Sequence, residues 1–218
     1  MKPTTLLSLG PLLLLFACKN HKTDSVDVSI VGDSTAKDTG ATNTQPPMEY
    51  DSAAMMKAWM DFATPGDMHK WMAKYNGTWN GEVTTWMEKD KPPVKSNATV
   101  TNKTTYNGLY QIGTYKGNMM GMPFEGQSIL GYDNSKKKFV TTWIDNMGSG
   151  IVIMTGDWDE GSKTLHLKGT QTNPMDGTDM IIRQEVKFVD DNTQVTTMYG
   201  SHAGAEEKMM EINLKRKM

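Results

Sequence analysis

From Thr78 onward, hydrophobic and polar residues alternate with a period of two, which is typical of β-strands. Turn-forming runs such as Asp190-Asp191-Asn192-Thr193 interrupt the alternation repeatedly. The pattern predicts about ten strands, over residues 78–88, 96–106, 109–117, 124–132, 138–145, 150–158, 164–172, 179–189, 194–200 and 207–216. Short connections make neighbouring strands antiparallel, and an open sheet of this size would expose both of its edges. The sequence therefore predicts an all-β fold, a closed up-and-down antiparallel barrel.

The alternation also predicts which side chains face the lumen. Apolar residues such as Leu165, Ile182 and Leu214 share one face with polar ones such as Ser128 and Thr141. A lumen of mixed character can bind a small amphipathic molecule, or it can hold ordered water that satisfies the polar groups. The candidate ligand contacts in the lumen or at its mouth are Tyr115, Met120, Met122, Phe124, Tyr132, Trp143, Asp145, Gln184 and Tyr199.

Two short helices are predicted before the barrel, within residues 51–75. In 51–63 and again in 67–75, Met and aromatic residues recur at the three- and four-residue spacing of an amphipathic helix. Thr64-Pro65-Gly66 separates the two segments. Stripes of this kind are core more often than they are binding faces, so we expect both helices to pack on the barrel of residues 76–218 or to plug it.

The N-terminus has the layout of a secretory signal over residues 1–17, with Lys2 before a short apolar run. Leu15-Phe16-Ala17-Cys18 resembles the lipobox of bacterial lipoproteins. That resemblance implies a lipid on Cys18 and a place in the bacterial cell envelope, anchored to a membrane and exposed to the periplasm or the cell surface. Residues 18–50 are mostly polar and are interpreted as a disordered tether. A plain secreted protein is the alternative.

Charge and cysteine content exclude several classes of function. There are 23 basic and 25 acidic side chains, a net charge of −2, and no basic stripe that would neutralise a row of phosphates. Nucleic acid is therefore not an expected partner. A single cysteine excludes a disulfide framework and a cysteine-based zinc site.

The start of the first strand resembles that of the calycins, the lipocalins and their relatives. Gly77-Thr78-Trp79 matches their Gly-x-Trp motif, in which the tryptophan closes one end of the barrel and a basic residue of the last strand packs over it. The resemblance gives Gly77, Trp79 and Arg216 structural roles in barrel closure, with Arg216 stacked on the indole.

A longer block is similar to a bacterial family known as domain of unknown function 1579. The similarity is carried by residues 119–126, 131–134, 136–140 and 142–148, and it extends from about residue 71 to residue 217. It implies a calycin-like barrel and no particular activity.

Three groups of residues suggest chemistry, and each has a structural alternative. Met119, Met120 and Met122 are soft ligands suited to Cu(I), although methionine serves as a packing residue throughout this chain, and packing or contact with an apolar ligand is the favoured interpretation. Asp145 at a strand end is either a general base or a turn carboxylate, and the second is favoured.

The third group is a possible haem ligand. Residues 77–82 also resemble the opening of the nitrobindins, which bind haem through a late histidine and isomerise peroxynitrite. The late candidate in this chain is His202, in a Gly-rich segment where a solvated turn residue is favoured.

Three hypotheses about function follow. The first is a lipid-anchored protein that binds a small apolar or amphipathic ligand without catalysis and without a cofactor or metal. The second is a haem enzyme of nitrobindin type. The third is a structural or assembly module whose lumen is filled by its own side chains. The sequence leaves the ligand and the oligomeric state open.

Overall fold

A computed structural model describes residues 51–88, 90–202 and 205–218, with the backbone alone for His202. The predicted signal segment, Cys18 and the tether lie outside these residues. Among the described residues no helix is long and apolar enough to cross a membrane.

Two helices precede the sheet, as predicted. Helix α1 spans Ser52–Ala63 and helix α2 spans Asp67–Lys74. The side chain of Asp51 caps α1 by accepting a hydrogen bond from the backbone N–H of Ala53, at 3.2 Å. The intervening Pro65 and Gly66 end one helix and begin the next, since Pro lacks an N–H and Gly66 is the N-cap of α2.

Ten antiparallel strands form a closed barrel, which confirms the predicted fold. The strands are β1 Gly77–Thr85, β2 Val94–Thr105, β3 Tyr110–Met119, β4 Met122–Asp133, β5 Lys138–Asp145, β6 Val152–Asp159, β7 Thr164–Thr172, β8 Asp179–Asp190, β9 Thr193–His202 and β10 Ala205–Arg216. Each strand pairs with its neighbours in sequence, and β1 pairs with β10. Closure leaves no unpaired edge between the first strand and the last.

The two ends of the barrel differ. At one, here called the helix end, β1 begins at Gly77, β10 ends at Arg216, and α2 covers the opening. At the other, the far end, β1 ends at Thr85 and β4 begins at Met122. The inward-facing apolar residues predicted from the alternation form one contiguous core with residues of α2.

Helix α2 plugs the helix end. His69 and Met72 are buried, and the ring of Trp71 lies 4.6 Å from that of Trp158 and 4.7 Å from that of Phe188, between ring centroids. The predicted packing of this helix is therefore observed, and its apolar stripe supplies the last layer of the core.

Helix α1 does not pack in this way, and the expectation for it is wrong. None of its residues is buried, and Trp59 remains 63% exposed. The reason is that Trp71 and its neighbours already fill the helix end. Among the described residues of the barrel, the Asn134 amide holds the C-terminal end of α1 by donating to the carbonyls of Asp61, Phe62 and Thr64.

Candidate functional site

Barrel closure at the helix end centres on Trp79, which is fully buried. The guanidinium carbon of Arg216 lies 4.3 Å from the centre of the indole ring. The same guanidinium donates to the carbonyls of Asn76 at 2.6 Å, Lys74 at 2.9 Å and Asp191 at 3.0 Å. These bonds tie the end of α2 and the β8–β9 turn to the last strand, so the geometry corresponds to the structural role that the calycin resemblance implies.

Aromatic side chains fill this half of the lumen. The rings of Phe139, Tyr75 and Phe188 surround Trp71, and Tyr132 packs edge-on against Phe139 at 4.9 Å. A filled layer of this kind contributes packing energy and leaves no room for a ligand. A binding site inside the barrel must therefore lie in the other half.

The far half of the lumen retains accessible surface. Five inward-facing side chains there are only half-buried, namely Ser128, Trp143, Gln184, Met198 and Ile212. Because the sheet covers their outer side, the surface that they leave accessible faces the lumen. The residues combine apolar walls with a few hydrogen-bonding groups, as small-molecule sites do.

Two polar groups of the lumen have distinctive environments. Tyr115 is hydrogen-bonded to Ser128, and burial raises the pKa of its phenol, so the hydroxyl stays neutral. Gln194 lies in β9 opposite Phe188, in the filled half, and its Nε2 is buried without a hydrogen-bond partner among the described residues. Buried donors are nearly always satisfied, so a buried water molecule is the expected acceptor for this amide.

Asp145 lies at the end of β5, and its two oxygens are engaged. Oδ2 accepts from the indole N–H of Trp143 at 2.6 Å, and Oδ1 accepts from the backbone N–H of Met147 at 2.8 Å. This is the geometry of a turn carboxylate that also orients an aromatic ring. It supports the turn interpretation over that of a general base.

Five of the other predicted ligand contacts face the lumen, and they divide between its two halves. Tyr115, Phe124, Trp143 and Gln184 face the lumen of the far half, where Phe124 stacks on Trp143 with 6.2 Å between ring centroids. Tyr132 faces the filled half.

Tyr199 was wrongly assigned to the lumen. It pairs with Arg183 and Lys208 on the outer face, and the guanidinium carbon of Arg183 lies 3.9 Å from the centre of its ring. In β9 the inward positions are polar or flexible, Gln194, Thr196 and Met198, whereas Val195 and Tyr199 point outward. An alternation assigned from hydrophobicity therefore has the wrong phase in this strand.

Met120 and Met122 lie at the far end of the barrel and not deep in its lumen. Met120 is in the turn between β3 and β4 and is 56% exposed, and Met122 is the first residue of β4 and is 48% exposed. His202 ends β9, and its side chain lies outside the described residues, as does Cys18. Within the described ranges, no three His, Cys, Asp or Glu side chains come together to hold a metal ion.

Sequence reasoning did not identify His69 as a buried group. Its Nδ1 accepts a hydrogen bond from the backbone N–H of Gly66 at 3.0 Å, its ring also hydrogen-bonds the backbone of Tyr132, and it packs edge-on against the Tyr132 ring. Burial lowers the pKa of the imidazole, so the neutral form is favoured. The signal that points to it is the position of His69 as the third residue of the helix after the N-cap Gly66, from which its side chain can accept the N–H of the N-cap residue.

Comparison with known proteins supports the family and the fold. The family model described as "Protein of unknown function (DUF1579)" matches residues 64–216. No curated protein matches the chain. Among solved structures, the crystal structure of Rv2717c from M. tuberculosis is similar with a TM-score of 0.53 and 11% identity, covering 71% of this chain and 100% of that chain. The S-type phycobiliprotein lyase CPES from Guillardia theta gives a TM-score of 0.49 and 6% identity, covering 73% of this chain and 97% of that chain.

Proposed function

The chain belongs to the DUF1579 family of proteins of unknown function, and we propose that it binds one small, mostly apolar molecule in the far half of its barrel. The observation that carries the proposal is the set of inward-facing, half-buried side chains that includes Gln184, Met198 and Ile212.

The lining predicts the chemistry of the ligand. Met198 and Ile212 offer apolar contact, while Gln184 and the Tyr115–Ser128 pair offer hydrogen bonds. The inward carboxylate of Asp145 in this half is already engaged by protein donors. The site therefore suits a neutral molecule with an apolar body and one or two hydrogen-bonding groups, and the proposed binding uses no metal or haem.

The test combines a search for the natural ligand with a matched pair of variants. Native mass spectrometry and a visible spectrum of full-length protein from its own host show whether an organic molecule or haem copurifies. Binding of the neutral fluorescent probe N-phenyl-1-naphthylamine is then measured for Ile212→Trp, which fills the lumen. The control is Ile153→Trp, since Ile153 lies on the outer face and is 56% exposed.

We expect an organic adduct, saturable binding of the probe, a loss of affinity of about tenfold or more in the lumen variant, and unchanged affinity in the control. An apo mass with no probe binding, or equal binding by the two variants, would overturn the proposal. A haem band in the visible spectrum would replace it with the nitrobindin-type alternative.

We further propose that the protein works at a membrane, held by a lipid on Cys18. The support is the lipobox-like Leu15-Phe16-Ala17-Cys18 and the polar composition of residues 19–50. Labelling with a radioactive fatty acid, followed by membrane fractionation, should show lipid on the natural chain and none on Cys18→Ala. A labelled variant, or a natural chain that stays unlabelled, would contradict the anchor.

A further inference from the structure

The turn between β3 and β4 carries three methionines that the core does not use. Met120 is 56% exposed, Met122 is 48% exposed, and Met119 is half-buried. The hairpin extends past both neighbouring strands, because pairing with β2 stops at Gly117 and pairing with β5 stops at Gly126. Packing, one of the interpretations favoured from the sequence, does not account for these side chains.

The turn brings the thioethers to one place. Met119 and Met122 are direct cross-strand partners, so their side chains lie on the same face of the hairpin, within reach of each other. Between them, Met120 and Gly121 have φ values of 52° and 81°. These are the positive values of a two-residue hairpin turn in which asparagine or glycine is preferred at both positions, so a methionine at the first is unusual.

A fourth methionine comes from the neighbouring loop. Asn146 fixes that loop to the start of β4: its amide donates to the carbonyl of Pro123 at 3.0 Å, and its side-chain oxygen accepts from the N–H of Glu125 at 3.0 Å. The next residue is Met147, 39% exposed. The bonds of Asn146 therefore place Met147 in a loop that is fastened to the start of β4. The four methionines lie in two adjoining loops at the far end.

We propose that Met119, Met120, Met122 and Met147 form a surface site for Cu(I). Thioether sulfur is a soft, neutral ligand that selects monovalent copper over harder divalent ions. Methionine side chains are flexible enough to turn their sulfur atoms toward one ion. The nearest carboxylate in the hairpin, that of Glu125, pairs with Lys116 at 3.3 Å and so supplies no hard ligand to compete. The proposal is independent of ligand binding in the lumen.

The experiment is an anaerobic competition for Cu(I) between the full-length chain and bicinchoninate, with Cys18→Ser in every sample so that no thiol contributes. The test variant replaces Met120 and Met122 by leucine, which keeps the size and removes the sulfur. The control is Met175→Leu, because Met175 is 91% exposed at the β7–β8 turn of the same end. The test variant should bind Cu(I) at least about tenfold more weakly, and the control should match the parent protein.

A second measurement locates the ion without a variant. With ¹³C-labelled methionine methyl groups and Ag(I) as a redox-inert substitute, the signals of the four proposed ligands should shift together while that of Met175 does not. Absence of competition with bicinchoninate, equal affinity of the test and control variants, or shifts spread evenly over the methionines would each overturn the site.

Discussion

Arg216, the last residue of the last strand, lies with its guanidinium carbon 4.3 Å from the ring centre of Trp79, the third residue of the first strand. The two residues are cross-strand partners in the pair that closes the barrel. The guanidinium also donates to three backbone carbonyls, of Lys74, Asn76 and Asp191, so one side chain holds the closing strand pair, helix α2 and a turn together.

Replacing either partner should destabilise the protein. Trp79→Ala should cost about 3 to 5 kcal/mol of unfolding free energy, as other large-to-small core changes do. Arg216→Ala should cost about 1 to 3 kcal/mol through the lost stacking and the unsatisfied carbonyls. Urea unfolding measures both, with Lys217→Ala at the exposed end of the chain as control. A loss below about 1 kcal/mol for Trp79→Ala would contradict the closing role.

His69 should make stability fall as the solution becomes acidic. Its pKa in the folded protein lies below the ordinary value of 6.5, because burial disfavours the charged ring. Well above pH 6.5 the imidazole is neutral in both the folded and the unfolded chain, so it does not make the free energy of unfolding depend on pH. As the pH falls through 6.5 toward the lowered pKa, the unfolded chain takes up a proton that the folded chain resists, and stability is lost.

The measurement is urea unfolding between about pH 8 and pH 5.5, comparing the parent with His69→Gln. The variant should lose less stability over this range than the parent does. Equal slopes for the parent and His69→Gln would show that the buried imidazole is not the group that titrates.

The two helices should respond differently to loss of a tryptophan. Trp71→Ala removes a ring that contacts four aromatic side chains, so it should cost about 3 to 5 kcal/mol. Trp59→Ala, in α1, should stay within about 0.5 kcal/mol, as exposed substitutions do. Thermal unfolding of the pair checks this, and a large loss from Trp59→Ala would mean that α1 packs against something.

Asp145 should matter for structure rather than for chemistry. Asp145→Ala leaves the Trp143 indole and the Met147 N–H without their acceptor, which should cost about 1 to 3 kcal/mol. Asp145→Asn keeps one acceptor oxygen and should cost less. Unfolding free energies and the tryptophan emission spectrum report both effects. A natural ligand that stays bound to Asp145→Ala as tightly as to the parent agrees with this role.

The fold could be predicted because its signals are local and repeated. Period-two alternation and short turns determine strands and antiparallel order, and β5 and β7 begin and end where the pattern placed them. Trp79 and Arg216 could be paired because Gly77-Thr78-Trp79 resembles the calycin motif, which implies a basic residue of the last strand over the tryptophan, and the two residues are cross-strand partners. The strand prediction depends on backbone geometry, which a short stretch of sequence specifies well.

The site was less predictable, because whether a side chain is buried or accessible depends on the space that the neighbouring elements leave for it. The stripes of α1 and α2 are alike in sequence, but only one helix fits at the end of the barrel. Tyr199 looked like a core residue, yet Arg183 covers it on the outer face. The burial of His69 depends on a contact with β4, which adjoins the helix in space and not in sequence.

Closure through the last strand also has a consequence for the order of folding. Asn76 and Arg216 meet across 140 residues of sequence, so this contact cannot form until synthesis of the chain is nearly complete. Until then β1 and β9 are both open edges that can pair with other chains. A truncation within β10 would leave the protein in that state permanently, and its first effect should be aggregation.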